Sequence, residues 1–161
     1  MALKQMESTQ VKVGNNEFYI KPFSAFKAAN LTGELASVLS PLLSALAPLV
    51  GDGNLMDMDV NKAAEAMASS TVINGDRLES LMKKLLLGGN IIIEYEDEND
   101  EPQQELLDKD LADEAFCGNV QDMFVLCIHV IKLNFKGFFD KIATLSGKAE
   151  SVAKKTQRKI L

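Results

Sequence analysis

The side chains best suited by type to chemistry are His129, Cys117 and Cys127, and their surroundings give them little of it to do. His129 is the single histidine. At helical pitch it falls on a narrow polar strip with Gln121, Asp122, Lys132, Lys136 and Asp140, without the cleft and orienting partner that a general base or ligand needs. We read it as a surface histidine. The two cysteines are flanked by apolar residues and have no histidine at a metal-binding interval, so they are expected to be small core residues in a reducing compartment. The acidic run from Glu94 to Glu101 lacks the central glycine and closing glutamate of a calcium loop, and reads as a solvated hairpin tip. Gly51-Asp52-Gly53 and Gly88-Gly89-Asn90 lack the lysine and the strand-to-helix setting of a phosphate loop. No catalytic residue, metal or cofactor is expected, and the chain is not read as an enzyme.

Contact residues are plentiful by comparison. Across residues 116–142 the apolar side chains take about twice the roughly 100° stripe that a surface helix needs. Most of that face is expected to be core, with Phe124, Ile128, Ile131, Phe135 and Phe138 left for self-association. Asn134 is the polar residue most nearly inside it, and by analogy with coiled coils it would fix a register between helices. A second candidate is the leucine stripe of Leu39, Leu42, Leu43, Leu46 and Leu49, on short elements jointed by Pro41 and Pro48 that must dock on something. Its uses are the chain's own core or a groove for a client helix. Leu55, Met56 and Met58 sit in a polar loop, where unbranched thioethers adapt to varied surfaces or close a flap over the core.

The elements that must position these residues follow from local signals. Thr9 to Val13 and Glu17 to Lys21 flank Gly14-Asn15-Asn16, a hairpin signal. Phe23 to Leu31 reads as a first helix, broken or bent at Thr32-Gly33. Asp59 caps a helix to about Ser70, and Asp76 with Glu79 forms a capping-box variant for one ending near Leu87, closed by Gly88-Gly89. Ile91 to Tyr95 is a strand that adds to the N-terminal hairpin or pairs with residues 103–107; the sequence leaves both open. Asp110 caps a short helix to Cys117, and Asn119 caps the long one. The expected fold is mainly α (α+β): one helical domain over residues 1–146 with a small antiparallel β-hairpin or sheet from the N-terminus and residues 90–96, then a basic, disordered tail over 147–161.

Composition narrows the partners. A chain of 161 residues fits one domain with a sizeable core. The longest uncharged stretch, Leu35 to Gly51, falls short of the ~20 residues of a membrane span, and the first ten residues lack a signal-peptide run. A cytoplasmic location is expected. Net charge is −6, but the last fifteen residues carry +4, which leaves −10 on the rest. An acidic body repels nucleic acid, and five cations on a tail make a weak footprint.

Three stretches then carry a resemblance: Asn16-Glu17-Phe18-Tyr19-Ile20-Lys21-Pro22-Phe23-Ser24-Ala25-Phe26 and onward to Leu35, Phe116-Cys117-Gly118-Asn119-Val120-Gln121-Asp122-Met123-Phe124, and Val130-Ile131-Lys132-Leu133-Asn134-Phe135-Lys136-Gly137-Phe138-Phe139. In order and spacing, from about residue 9 to 146, they resemble the tail assembly chaperones of long-tailed bacteriophages and prophages of Gram-positive hosts. The resemblance implies a homo-oligomeric factor of the host cytoplasm that coats the tape measure protein, keeps it soluble, and gives way as tail tube protein polymerises around it. It implies absence from the mature virion, and a second, longer form made by ribosomal frameshifting in many members. The client-binding assignment of the leucine stripe and methionine loop is our hypothesis from the residues alone. A structural tail completion or adaptor subunit is the alternative class, and a nucleic-acid-binding regulator using the basic tail a weaker one.

Overall fold

The computed structural model describes residues 7–39, 59–68 and 75–135. The leucine stripe beyond Leu39, the methionine loop, Phe138 and the basic tail lie outside them. The described residues form a mixed α+β fold of five helices and one four-stranded antiparallel sheet, so the strand content exceeds the mainly helical expectation.

Strands β1 (Thr9–Val13) and β2 (Asn16–Ile20) form the expected hairpin. Gly14 turns it with φ of +61°, and a Cβ there would lie 2.5 Å from Asp122 Oδ2, so this position suits glycine on two counts. Strand β3 (Ile91–Glu96) pairs with β2, and β4 (Pro102–Leu106) pairs with β3, giving the order β1-β2-β3-β4. Both pairings left open by the sequence therefore occur. The acidic run is the tip of the β3–β4 hairpin. Asp97 Oδ1 accepts from the amides of Asn99 and Glu101 at 2.8 and 3.0 Å, and these bonds, the Glu101 amide foremost, hold its carboxyl below the ordinary value.

Helix α1 (Ala25–Leu39) runs through Thr32-Gly33 without a break. The Thr32 hydroxyl donates back to the Ala28 carbonyl at 2.8 Å, and burial of Leu31, Leu35 and Val38 outweighs the roughly 1 kcal/mol cost of an internal glycine. Helix α2 (Val60–Ala68) starts as expected, with Asp59 Oδ1 accepting from the amides of Asn61 and Lys62. Helix α3 (Gly75–Leu86) begins one residue before the expected cap, which puts Asp76 inside its first turn, and Glu79 pairs with Lys83. Gly89, at φ of +82°, follows its end. Helix α4 (Lys109–Ala115) is capped by Asp108, whose Oδ1 accepts from the Leu111 amide at 2.8 Å; Asp110, the expected cap, sits in the first turn. Helix α5 (Val120–Asn134) starts after Asn119, whose side chain donates to Asp122 and makes no cap bond to the backbone.

Helix α5 is the axis of the core. It packs against α2, α3 and β1, and the fully buried Ala63 and Ala64 let α2 lie close. The inner face of the sheet contributes Val13, Phe18, Ile20, Ile91 and Ile93. Phe18 stacks on Phe116 with ring centroids 5.8 Å apart, and Phe23 meets Phe135 at 6.3 Å. Asn134 serves within the chain, not between copies: its Oδ1 accepts from the Phe23 amide at 2.7 Å and its Nδ2 donates to the Val130 carbonyl at 2.9 Å. The end of α5 is thereby tied to the segment joining β2 and α1.

Two titratable side chains are placed differently from the sequence reading. Cys127 is fully buried, and burial pushes its thiol far above the ordinary value, whereas Cys117 is exposed in the turn after α4. A thiol reagent is expected to modify Cys117 alone in the native protein and Cys127 only in denaturant; equal labelling without denaturant would contradict this burial. His129 is half-buried and not on the open surface, and desolvation, then the Lys132 ammonium, hold its pKa below 6.5. The native ring stays neutral while the unfolded chain gains a proton as pH falls through about 6.5. Its contribution to stability is therefore full above that value and is lost on acidification. Urea melts between roughly pH 7 and pH 5 should show a shallower loss for His129→Gln than for wild type; parallel losses would contradict the assignment.

Candidate docking surface

The wide apolar face of α5 is spent inside the chain. Phe124, Ile128, Ile131 and Phe135, four of the expected self-association residues, are all buried in the core, with Ile131 at 0% exposure. Leu39 closes α1, and the remaining expected client-binding residues, Leu42, Leu43, Leu46, Leu49, Leu55, Met56 and Met58, are outside the described residues, as is Phe138.

Among the described residues, apolar surface reaches solvent at Val120, an isolated side chain at the start of α5, and in three further places. The first is a groove of about 440 Å³ between α3 and α4, lined by Leu78, Met82, Leu86 and Leu87 on one side, by Ala112 on the other, and by Met123 of α5. Leu78, Met82 and Leu86 follow each other at intervals of one turn and line the groove; Met82 and Leu86 are buried at its floor, like Leu81 and Leu85 beside them, and the groove meets solvent chiefly at half-buried Leu78, Leu87 and Met123. Two methionines give the lining adaptable shape.

Charged side chains edge this groove. On α3, Glu79 pairs with Lys83 at 2.8 Å; on α4, Lys109 pairs with Asp113 at 3.3 Å. The hydrogen bond to Lys83 lowers the Glu79 pKa, and Lys109 across the groove adds a smaller pull in the same direction. Lys83 is raised by Glu79, with a smaller contribution from Asp113. Each edge is neutral in sum, so a docking segment meets apolar floor without an unpaired charge. Exposed pairs of this kind contribute little to stability because solvent screens them, and their role here is to keep the edges wet and balanced.

The second place is the outer face of the sheet. Tyr19 lies opposite Ile92, and Ile92 opposite Leu106, which makes a row across three strands ending on the edge strand β4. Ile92 and Leu106 are exposed, and Tyr19 is fixed by its hydroxyl, which donates to Glu94 Oε2 at 2.6 Å. The third is Phe26 on α1, 92% exposed. The sequence reading missed all three. The turn-by-turn row on α3 was visible in Asp76-Arg77-Leu78-Glu79-Ser80-Leu81-Met82, but it looks like the core face of any amphipathic helix.

The described residues hold no group of His, Cys, Asp or Glu able to bind a metal ion, and none of their helices is long and apolar enough to cross a membrane. What the geometry offers is a scaffold around one buried helix with apolar surface on several sides, the build of a protein-interaction module. Residues 14–147 match the family model described as phage tail assembly chaperone protein, TAC. The chain belongs to that family, as the three resembling stretches implied. No curated protein and no solved structure shows a significant match.

Proposed function

We propose that this chain is a tail assembly chaperone that binds the tape measure protein of a long-tailed phage or prophage, keeps its apolar helices soluble, and helps to recruit tail tube protein. It works by contact alone, as a homo-oligomer in the host cytoplasm, with no bond made or broken and no cofactor, and it leaves before the virion matures. The observation that carries this reading is family membership over most of the chain. The neutral-edged, methionine-bearing groove supports it, because a holdase needs adaptable apolar surface of moderate affinity, and a many-copy coat gains avidity without strong individual sites.

The client surface in this reading is the leucine and methionine segment of residues 39–58 together with the groove between α3 and α4. Co-expression with a fragment of tape measure protein tests it. Wild type should keep the fragment soluble, and Leu46→Asp, Met56→Asp or Leu78→Asp should return most of it to the pellet. Full client solubility with all three variants would reject these surfaces.

A further inference from the structure

We infer that the outer face of the sheet is covered by this chain's own basic tail, residues 147–161, with Val152 on the row of Tyr19, Ile92 and Leu106 and the cations after it on the carboxylates of the β3–β4 hairpin. The contact lies within one copy and does not depend on client binding.

Charge names the occupant. Residues 91–106, the β3–β4 hairpin, carry seven carboxylates and no Lys or Arg, whereas residues 147–161 carry five cations against Glu150. On the outer face Glu94 is held by neutral partners, the Tyr19 hydroxyl donating to it at 2.6 Å and Gln104 Nε2 at 3.1 Å. These bonds, that from Tyr19 foremost, lower its pKa, so the carboxylate keeps its charge. The ion pairs described above lie on α1, α3 and α4 and leave the hairpin's charge unbalanced. Beside that charge Ile92 and Leu106 are exposed, at 38% and 54%, and covering them adds a hydrophobic gain to the electrostatic one.

Position and order agree with charge. Asn134 at the end of α5 bonds the Phe23 amide, so the chain leaves α5 beside the end of β2 that carries Tyr19 and Ile20. The apolar row crosses the sheet at that end; Glu94 comes next along β3, then Glu96, then the hairpin tip. The tail has the same order, with Val152 ahead of Lys154, Lys155, Arg158 and Lys159. Residues 136–147 join α5 to it, and an extended reach of roughly 40 Å is ample to round the end of one sheet. A basic segment of another protein would meet the same face, but a tether raises the effective concentration of the chain's own segment and favours it.

Paramagnetic broadening of amide signals in the full chain tests this without any client, so its failure and that of the client-binding reading are distinguishable. In a Cys117→Ser background, Gln157→Cys carries a nitroxide, while buried Cys127 stays unlabelled. The amides of Glu94, Glu96 and Gln104 should lose most of their intensity, and those of Ala63 and Ala64 on α2 should keep theirs. Lys154→Glu with Lys155→Glu should restore the lost signals, and adding Glu96→Lys and Glu98→Lys to that variant should bring the broadening back. Isotope-labelled chain mixed with unlabelled nitroxide-bearing chain should show no broadening at these amides. Unbroadened sheet signals, broadening that survives the charge reversal, a double swap that does not bring it back, or broadening in the mixed sample would overturn the inference.

Discussion

Phe18→Ala is expected to lower the unfolding free energy by about 3–5 kcal/mol, among the largest losses open to a single truncation in a core. Phe18 has no exposed surface, faces the interior from the second strand, and stacks on Phe116 at 5.8 Å with the rings nearly parallel. It therefore couples the sheet to the turn between α4 and α5. The removed ring leaves a void that a sheet pinned on both sides by β1 and β3 cannot collapse into. With total stability of about 5–15 kcal/mol for such a domain, a urea midpoint for the variant near that of wild type would contradict this packing.

Ile131→Asp should leave no cooperatively folded chain. At this position the carboxylate would be buried in the last turn of α5 without a partner, at a cost of several kcal/mol. The variant also separates two accounts of the wide helix face. If that face served chiefly to join copies, Ile131→Asp would yield a folded monomer. With the side chain inside the core, it should yield loss of near-ultraviolet circular dichroism and a non-cooperative melt. A soluble, folded and cooperatively melting Ile131→Asp monomer would reverse the assignment.

Local chemistry made part of this fold readable. Gly14-Asn15 announced the hairpin, Asp59 the start of α2, and Gly88-Gly89 the end of α3, because each signal acts within a few residues. Signals that compete with distant packing misled. Thr32-Gly33 looks like a break, yet Leu35 and Val38 beyond it are held by the core, and long-range burial overrides local propensity there. Asp108 and Asp110 are equally good caps by type, and the true one is fixed by where Leu107 leaves the sheet, its amide bonded to the Ile91 carbonyl. Strand β4 is built from Pro102-Gln103-Gln104-Glu105-Leu106, poor in β-formers, and exists because β3 offers it an edge.

The candidate site was the least legible part. The excess apolar width of α5 was real, but a sequence does not tell how many neighbours a helix has, and here α2, α3 and the sheet cover it. The surfaces that do reach solvent come from residues that look ordinary in sequence: Leu78 and Leu87 at the rim of the groove, one phenylalanine on α1, and the outward isoleucine of β3. Each reaches solvent through what fails to cover it, and that is settled by the whole fold.

Under the proposed function, this protein shields the apolar helices of a tape measure protein by direct contact. A denatured tape measure fragment diluted into buffer should scatter light as it aggregates, and the purified chain, added in excess, should suppress most of that scattering and emerge bound to the fragment on gel filtration. Aggregation at the rate seen with an unrelated acidic protein, with no fragment co-eluting, would contradict the account.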